Sequence, residues 1–107
     1  IKMRNLDEAK RYCNEGMEIA QEGSYQFDIA KILCLLGEIK MIESVDATAE
    51  LSQSVEIFSS LGRKYELATA LVQLGQAHLN MGNKEEGEKH LKASKEIFET
   101  LVCACEE

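Results

Sequence analysis

The sequence predicts an all-α fold, with antiparallel helix–turn–helix repeats stacked as a short solenoid of about five helices. Three observations lead there. Apolar and small residues recur at three-and-four spacing, as at Tyr65, Ala68, Leu71, Leu74, Gly75 and Leu79, which is one buried stripe of a helix. Proline is absent while Ala, Leu, Glu, Lys, Gln and Met dominate, so helices run uninterrupted. The chain also repeats itself, and internal repeats of this length mark stacked helical units.

The repeat has two registers. Leu51, Ser54, Glu56, Ile57, Phe58 and Leu61 recur 40 residues later as Leu91, Ser94, Glu96, Ile97, Phe98 and Leu101. Ala30, Leu33, Leu36 and Gly37 recur 38 residues later as Ala68, Leu71, Leu74 and Gly75. The 38-residue offset also carries Ala9 onto Ala47 and Ile19 onto Ile57. The change of register implies a two-residue length difference at the turn near Glu43 to Asp46, against Gly82 to Glu85.

Each unit then holds two helices. The first helix of the chain, 7–22, is the second helix of a partial repeat and carries Ala9 and Ile19 in register. The second, 25–42, holds Ala30, Leu33, Leu36 and Gly37; the third, 45–60, holds Leu51, Ser54 and Phe58. The fourth, 64–81, stops at Gly82-Asn83, a helix-ending pair. The fifth, 84–101, sets Gly87, Leu91, Ser94, Ile97, Phe98 and Leu101 on one side. Short connections make neighbours antiparallel. Glycine costs about 1 kcal/mol against alanine inside a helix, so Gly37 and Gly75 at matching mid-helix positions point to close packing. The organisation is one domain, 1–107, with repeats at 25–61 and 64–101. Residues 102–107 fall where a next first helix begins, and the terminal helices are expected to expose apolar faces.

Composition narrows the function. The net charge is −7, from 19 acidic and 12 basic residues, which argues against a nucleic-acid partner. The densest basic cluster, Lys84, Lys89, His90, Lys92 and Lys95, is threaded by Glu85, Glu86, Glu88 and Glu96 and reads as a solvated helix face. No apolar run is long enough to span a membrane, and no secretory leader is expected at Ile1 to Asn5. Cys13 and Cys34 fall inside helical patterns, and Cys103 and Cys105 are separated by one residue rather than the two to four of a zinc knuckle. Free thiols in a cytoplasmic, reducing setting are expected, with no metal and no cofactor. The histidines, His78 and His90, have no nucleophile relay beside them, and no phosphate-cradling loop occurs, so no enzyme activity is expected.

The pattern Leu71-x2-Leu74-Gly75-x2-His78…Gly87-x3-Leu91-x2-Ser94 resembles the tetratricopeptide repeat signature. Leu33-x2-Leu36-Gly37-x2-Lys40…Ala47-x3-Leu51-x2-Ser54 is the same pattern with its inner spacing shortened by two. The Ile-Phe-x2-Leu ending and the 38–40-residue length are similar to a longer variant found in signalling and regulatory proteins. His78 and Lys40 replace the usual aromatic, Gly87 replaces the usual alanine, and no helix-ending proline occurs.

The resemblance implies a right-handed solenoid whose first helices line a concave surface. The family positions that face a bound peptide fall on Lys31, Cys34, Glu38 and Met41 in one unit and on Thr69, Val72, Gln76 and Asn80 in the next. Their short polar, amide and apolar groups suit an extended or helical segment. Only Lys31 and Asn80 match the cationic and amide groups with which one subfamily clamps a terminal carboxylate. The expected function is a protein-binding scaffold within a larger signalling or regulatory protein, with a protein or peptide as partner. The alternative is a homo-oligomerisation or spacer element that assembles, as a homodimer for instance, through its terminal helices.

Overall fold

The computed structural model describes the backbone of residues 3–106 and the side chains of residues 6–102. Five helices follow one another: α1 (Met3–Gly23), α2 (Gln26–Ile42), α3 (Thr48–Leu61), α4 (Lys64–Asn80) and α5 (Lys84–Glu106). No strand occurs among the described residues. Each helix packs on the next, and α2 also packs on α4. The molecule measures 43 × 36 × 21 Å. Its shortest dimension is close to two helix diameters of about 10–12 Å, so α2 and α4 form one layer and α1, α3 and α5 the other. Helices α2 and α4 touch, whereas among the described residues α1, α3 and α5 do not. The stack therefore curves toward the α2–α4 side.

One turn is used four times. Ser24, Ser44, Gly62 and Gly82 each take the left-handed conformation, with φ of 57, 62, 71 and 83°. The residue after each donates its N–H five positions back: Tyr25 to Ala20 (2.9 Å), Val45 to Lys40 (2.7 Å), Arg63 to Phe58 (3.1 Å) and Asn83 to His78 (2.8 Å). This is the Schellman ending, which satisfies carbonyls that the last helical turn leaves open. The four turn residues obey the 38-residue register, Ser24 with Gly62 and Ser44 with Gly82.

The same register explains where the expected boundaries shift. Position 62 maps at 40 residues onto Val102, and a β-branched side chain is excluded from the left-handed region. With no turn residue there, α5 does not stop at 101 but runs on to Glu106. Residues 102–106, where the register places the start of a next first helix, continue α5. The expected roles of Cys103 and Cys105 lie outside the described side chains. Helix α1 likewise begins at Met3 rather than at 7. Helix α3 begins at Thr48 rather than 45, because the Asp46 carboxylate accepts from Thr48 N–H (2.9 Å) and Thr48 Oγ1 (2.8 Å) and holds the chain in a turn. The two-residue difference between units is not a longer loop. Helix α5 gains an extra first turn, Lys84–Gly87, while its preceding linker (81–83) is shorter than the 43–47 linker.

Two contacts lock each unit, and both repeat. Ser54 Oγ donates to the carbonyl of Ala30 (3.0 Å), and Ser94 Oγ to that of Ala68 (2.9 Å). Phe27 meets Phe58 edge to face at 5.7 Å, and Tyr65 meets Phe98 at 5.9 Å. Of the packing residues named from the sequence, Ala30, Leu33, Gly37, Ala68, Leu71, Leu74 and Gly75 are buried. Leu36, Leu91, Ile97 and Phe98 are only half-buried; the last three lie on α5, which no described helix covers on its outer side. The core also takes Ile39, Ala47, Leu51, Phe58, Ala70 and Ala77.

Both glycines mark close approach. A methyl group on Gly37 would meet Cγ and Cδ2 of the fully buried Leu51 at 2.7 Å, and on Gly75 it would meet the Gly87 carbonyl oxygen and Leu91 Cγ at 2.9 Å. Neither a helix backbone nor a side chain enclosed on all sides can turn aside. Gly37→Ala and Gly75→Ala are therefore each expected to destabilise by about 1–3 kcal/mol despite the better helix propensity of alanine, as read by urea unfolding. Ser44→Gly, which removes a left-handed serine, should raise stability by about 0.5–1 kcal/mol in the same measurement.

Candidate functional site: the trough between the first helices

On the inner surface, α2 and α4 present parallel ridges. Lys31, Leu35, Glu38 and Ile42 stand outward from α2, and Thr69, Gln73, Gln76 and Asn80 from α4. Spacing of four, three and four residues keeps each set on one face of its helix. Each α2 residue corresponds to its α4 partner at the 38-residue offset, so the two ridges are one structural feature written twice. Their chemistry differs. The α2 ridge is apolar and charged, with Leu35 50% and Ile42 59% exposed. The α4 ridge is hydroxyl and amide throughout.

Between the ridges lie two troughs. One, of about 390 Å³, runs past Lys31, Glu38, Thr69 and Gln73 and is floored by Cys34 and Phe58, with Tyr65 and Glu66 at its rim. The other, of about 520 Å³, is lined by Glu38, Met41, Ile42, Gln76 and Asn80. A third, of about 410 Å³, lies between α1 and α2 and includes Tyr12, Leu35, Glu38 and Ile42. Glu38 borders all three.

The electrostatics of the surface are set by a few contacts. Gln73 Nε2 donates to Glu38 Oε2 at 2.5 Å and ties the ridges together, while Gln73 Oε1 is buried without a partner among the described residues. The Arg63 guanidinium lies 4.3 Å from the Phe27 ring centre and 3.5 Å from the Glu66 carboxylate, and Lys31 lies 5.6 Å from the same ring. The Glu66 carboxyl is held below its usual range, first by its own backbone N–H and then by Arg63. Burial pushes the Cys34 thiol up, partly offset by its 2.9 Å hydrogen bond with Ser54 Oγ. A thiol held neutral is a packing group rather than a nucleophile.

The sequence-derived candidates distribute unevenly. Lys31, Cys34, Glu38, Met41, Thr69, Gln76 and Asn80 all border the α2–α4 troughs. Val72 does not. It faces the far side of α4, in a separate apolar trough with Leu91, Phe98 and Val102. Sequence reasoning missed Leu35 and Ile42, because an apolar residue at helical spacing reads as core, and Gln73, whose bond to Glu38 joins two helices and leaves no mark in the spacing. The available signal was the 38-residue register, which pairs Leu35 with Gln73 and Ile42 with Asn80 and so denies both pairs a conserved core role within the chain.

Residues 68–101 match the family model described as tetratricopeptide repeat, a span from Ala68 in α4 to Leu101 in α5. No curated protein and no solved structure matches the chain. The match covers the second unit, and the internal register extends the same pattern to the first. Tetratricopeptide-type repeats are protein-interaction modules. Among the described residues no group of three His, Cys, Asp or Glu is placed to hold a metal ion, and no helix is long and apolar enough to cross a membrane.

At the opposite edge the two units solve one contact differently. Lys40 and Glu50 form an ion pair at 2.5 Å across α2 and α3. Their register partners are His78 and His90, whose rings stack across α4 and α5 at 5.3 Å and 19°. The His90 imidazole is held below its ordinary value of 6.5, first by burial and then by the charge of His78, against the opposing pull of Glu86. A histidine of lowered pKa favours the neutral form in the fold. Its contribution is complete above the unfolded value and is lost as pH falls through 6.5 toward the folded value. Stability in urea is therefore expected to decline from pH 7 toward pH 5.5, and His90→Asn to flatten that decline (no decline in the parent chain would overturn this).

Proposed function

We propose that the chain is a peptide-holding scaffold that takes a segment of a partner protein in the trough between α2 and α4. Both units belong, on this reading, to the longer 38–40-residue variant of the repeat found in signalling and regulatory proteins. The observation that carries the proposal is the pair of matched, outward ridges on the concave side. They are joined by the hydrogen bond from Gln73 to Glu38 and leave two open troughs of about 390 and 520 Å³. An adaptor has this geometry because first helices that splay on the inner face leave room for a chain to lie across them. The amides of Gln76 and Asn80 are exposed and unbonded to other described side chains, so they offer donors and acceptors to a peptide main chain.

A second reading rests on the separate trough of Val72, Leu91, Phe98 and Val102. It is open and largely apolar, and its counterpart in the first unit is filled by α4, where Leu74 packs on Leu51 and Ala70 on Phe58. A helix from a second copy or a flanking segment would fill it in the same manner, making the module a spacer or assembly element. Light scattering across a dilution series separates the two. A monomer at all concentrations favours the groove, and a persistent dimer favours assembly.

The groove itself is tested by panning a displayed random-peptide library on the chain and re-measuring selected peptides on a Gln76→Arg, Asn80→Arg variant. Binding is expected to fall about tenfold or more with the far-UV circular dichroism unchanged, and undiminished binding would remove the groove from consideration.

A further inference from the structure

We infer that the trough prefers an extended segment in which a Lys or Arg stands between two large apolar residues, with Glu38 as the residue that selects the cation. The inference rests on the groove reading above and adds the chemistry of its occupant. It starts from an asymmetry between the two walls. Along α4 the ridge carries only short hydroxyl and amide groups; Thr69 Oγ1 donates to the Tyr65 carbonyl and Gln73 Nε2 to Glu38, which leaves the exposed amides of Gln76 and Asn80 on offer. Such groups hydrogen-bond equally to N–H and C=O. An extended backbone has unpaired N–H and C=O groups to offer them, whereas a helix has already used its own. The α4 wall thus fits a main chain rather than side chains, and this favours an extended occupant.

The α2 wall fits side chains. Leu35 and Ile42 are 50% and 59% exposed, one on each side of Glu38 along the helix. At about 1.5 Å rise per residue they stand about 10 Å apart, with Glu38 between them. Across from them, on α1, Tyr12 is 80% exposed and borders the same trough as Leu35, Glu38 and Ile42. Glu38 is thus an exposed carboxylate set between two exposed apolar side chains, a patch that offers a partner both apolar area and a charge. Its one described partner is the neutral Gln73 amide, which satisfies one oxygen and leaves the charge uncompensated. The nearby cations are committed elsewhere. Lys31 is held over the Phe27 ring, and Arg63 lies over that ring beside Glu66.

Charge and shape then agree. A cation from the partner meets Glu38, and apolar residues two positions before and after it lie on the same side of an extended chain, over Leu35 and Ile42. Closing the patch under a partner lowers the local dielectric and strengthens the pairing beyond that of an exposed ion pair. An acidic residue at the same position would meet Glu38 with like charge and would be rejected.

The test uses three fluorescent heptapeptides of the form Leu-x-Arg-x-Leu, Leu-x-Glu-x-Leu and Ala-x-Arg-x-Ala, with small neutral residues elsewhere, and reads anisotropy. The parent chain is expected to bind the first at least about tenfold tighter than either of the others. Glu38→Lys should invert the order of the arginine and glutamate peptides while circular dichroism stays unchanged, since Glu38 is exposed. An unchanged order in Glu38→Lys, or equal affinity for the three peptides, overturns the inference. Loss of all three in the Gln76→Arg, Asn80→Arg variant together with an unchanged order in Glu38→Lys would leave the groove standing and remove only its charge selection. Binding that survives the groove variant, or absence of binding to the first peptide at millimolar concentration, would remove both.

Discussion

The structure depends on how closely the two helices of a unit can approach. Ser54 and Ser94 stand at the crossing points, 0% and 1% exposed, and each returns its hydroxyl to a carbonyl of the facing helix. A buried hydroxyl without a partner would cost about 1–3 kcal/mol, so the serine both permits the approach and requires it. Ala30 and Ala68, fully buried opposite these serines, supply the other half of the contact. Only with the backbones this near do the edge-to-face pairs Phe27–Phe58 and Tyr65–Phe98 form at the wide end of each unit. The crossing geometry then sets the tilt of α2 against α4, and with it the trough.

Around that crossing the units differ in ways that preserve geometry while exchanging chemistry. Lys40 and Glu50 occupy the positions of His78 and His90, an ion pair in one unit and stacked imidazoles in the other. Leu51 fills the space beside Gly37 and its register partner Leu91 that beside Gly75, where the backbone of Gly87, on the extra helical turn of α5, also comes in. The second unit carries the stacked histidines at its edge, where the lowered value of His90 predicts a loss of stability in acid.

Much of this was legible in the sequence, for a physical reason. A solenoid writes its core twice, so Ala30 with Ala68, Ser54 with Ser94 and Gly37 with Gly75 are visible as recurrences even where each alone is ambiguous. The five helices follow from that register and from the turn residues. What was not legible lies where the register carries a substitution rather than a match. Val102 replaces the turn glycine, so the expected break after 101 is absent and α5 continues. Val72 shares the row of Cys34 but has no following helix beside it among the described residues, so it belongs to the end trough instead. Leu35 and Ile42 have the composition of core and the position of surface. No spacing rule separates those two cases without the packing partner in view.

At the site the two copies differ at every ridge position, and the difference has a direction. Residues at the crossing are constrained by both neighbouring helices, so the copies keep Ala, Ser and Gly there. The outward ridges of α2 and α4 touch little, and nothing in the stack penalises a change from Leu35 to Gln73 or from Glu38 to Gln76 at equivalent positions. An outward ridge under no demand would drift toward generally soluble residues on both helices. On α4 it did, as hydroxyl and amide groups. On α2 it retained two large apolar side chains around a single carboxylate, at the desolvation cost that exposure of such a patch entails. Leu35 and Ile42 lie outside the core, and Glu38 reaches across only to Gln73 among the described side chains, so the packing of the stack leaves this ridge free to take the shape that the proposed groove asks of it.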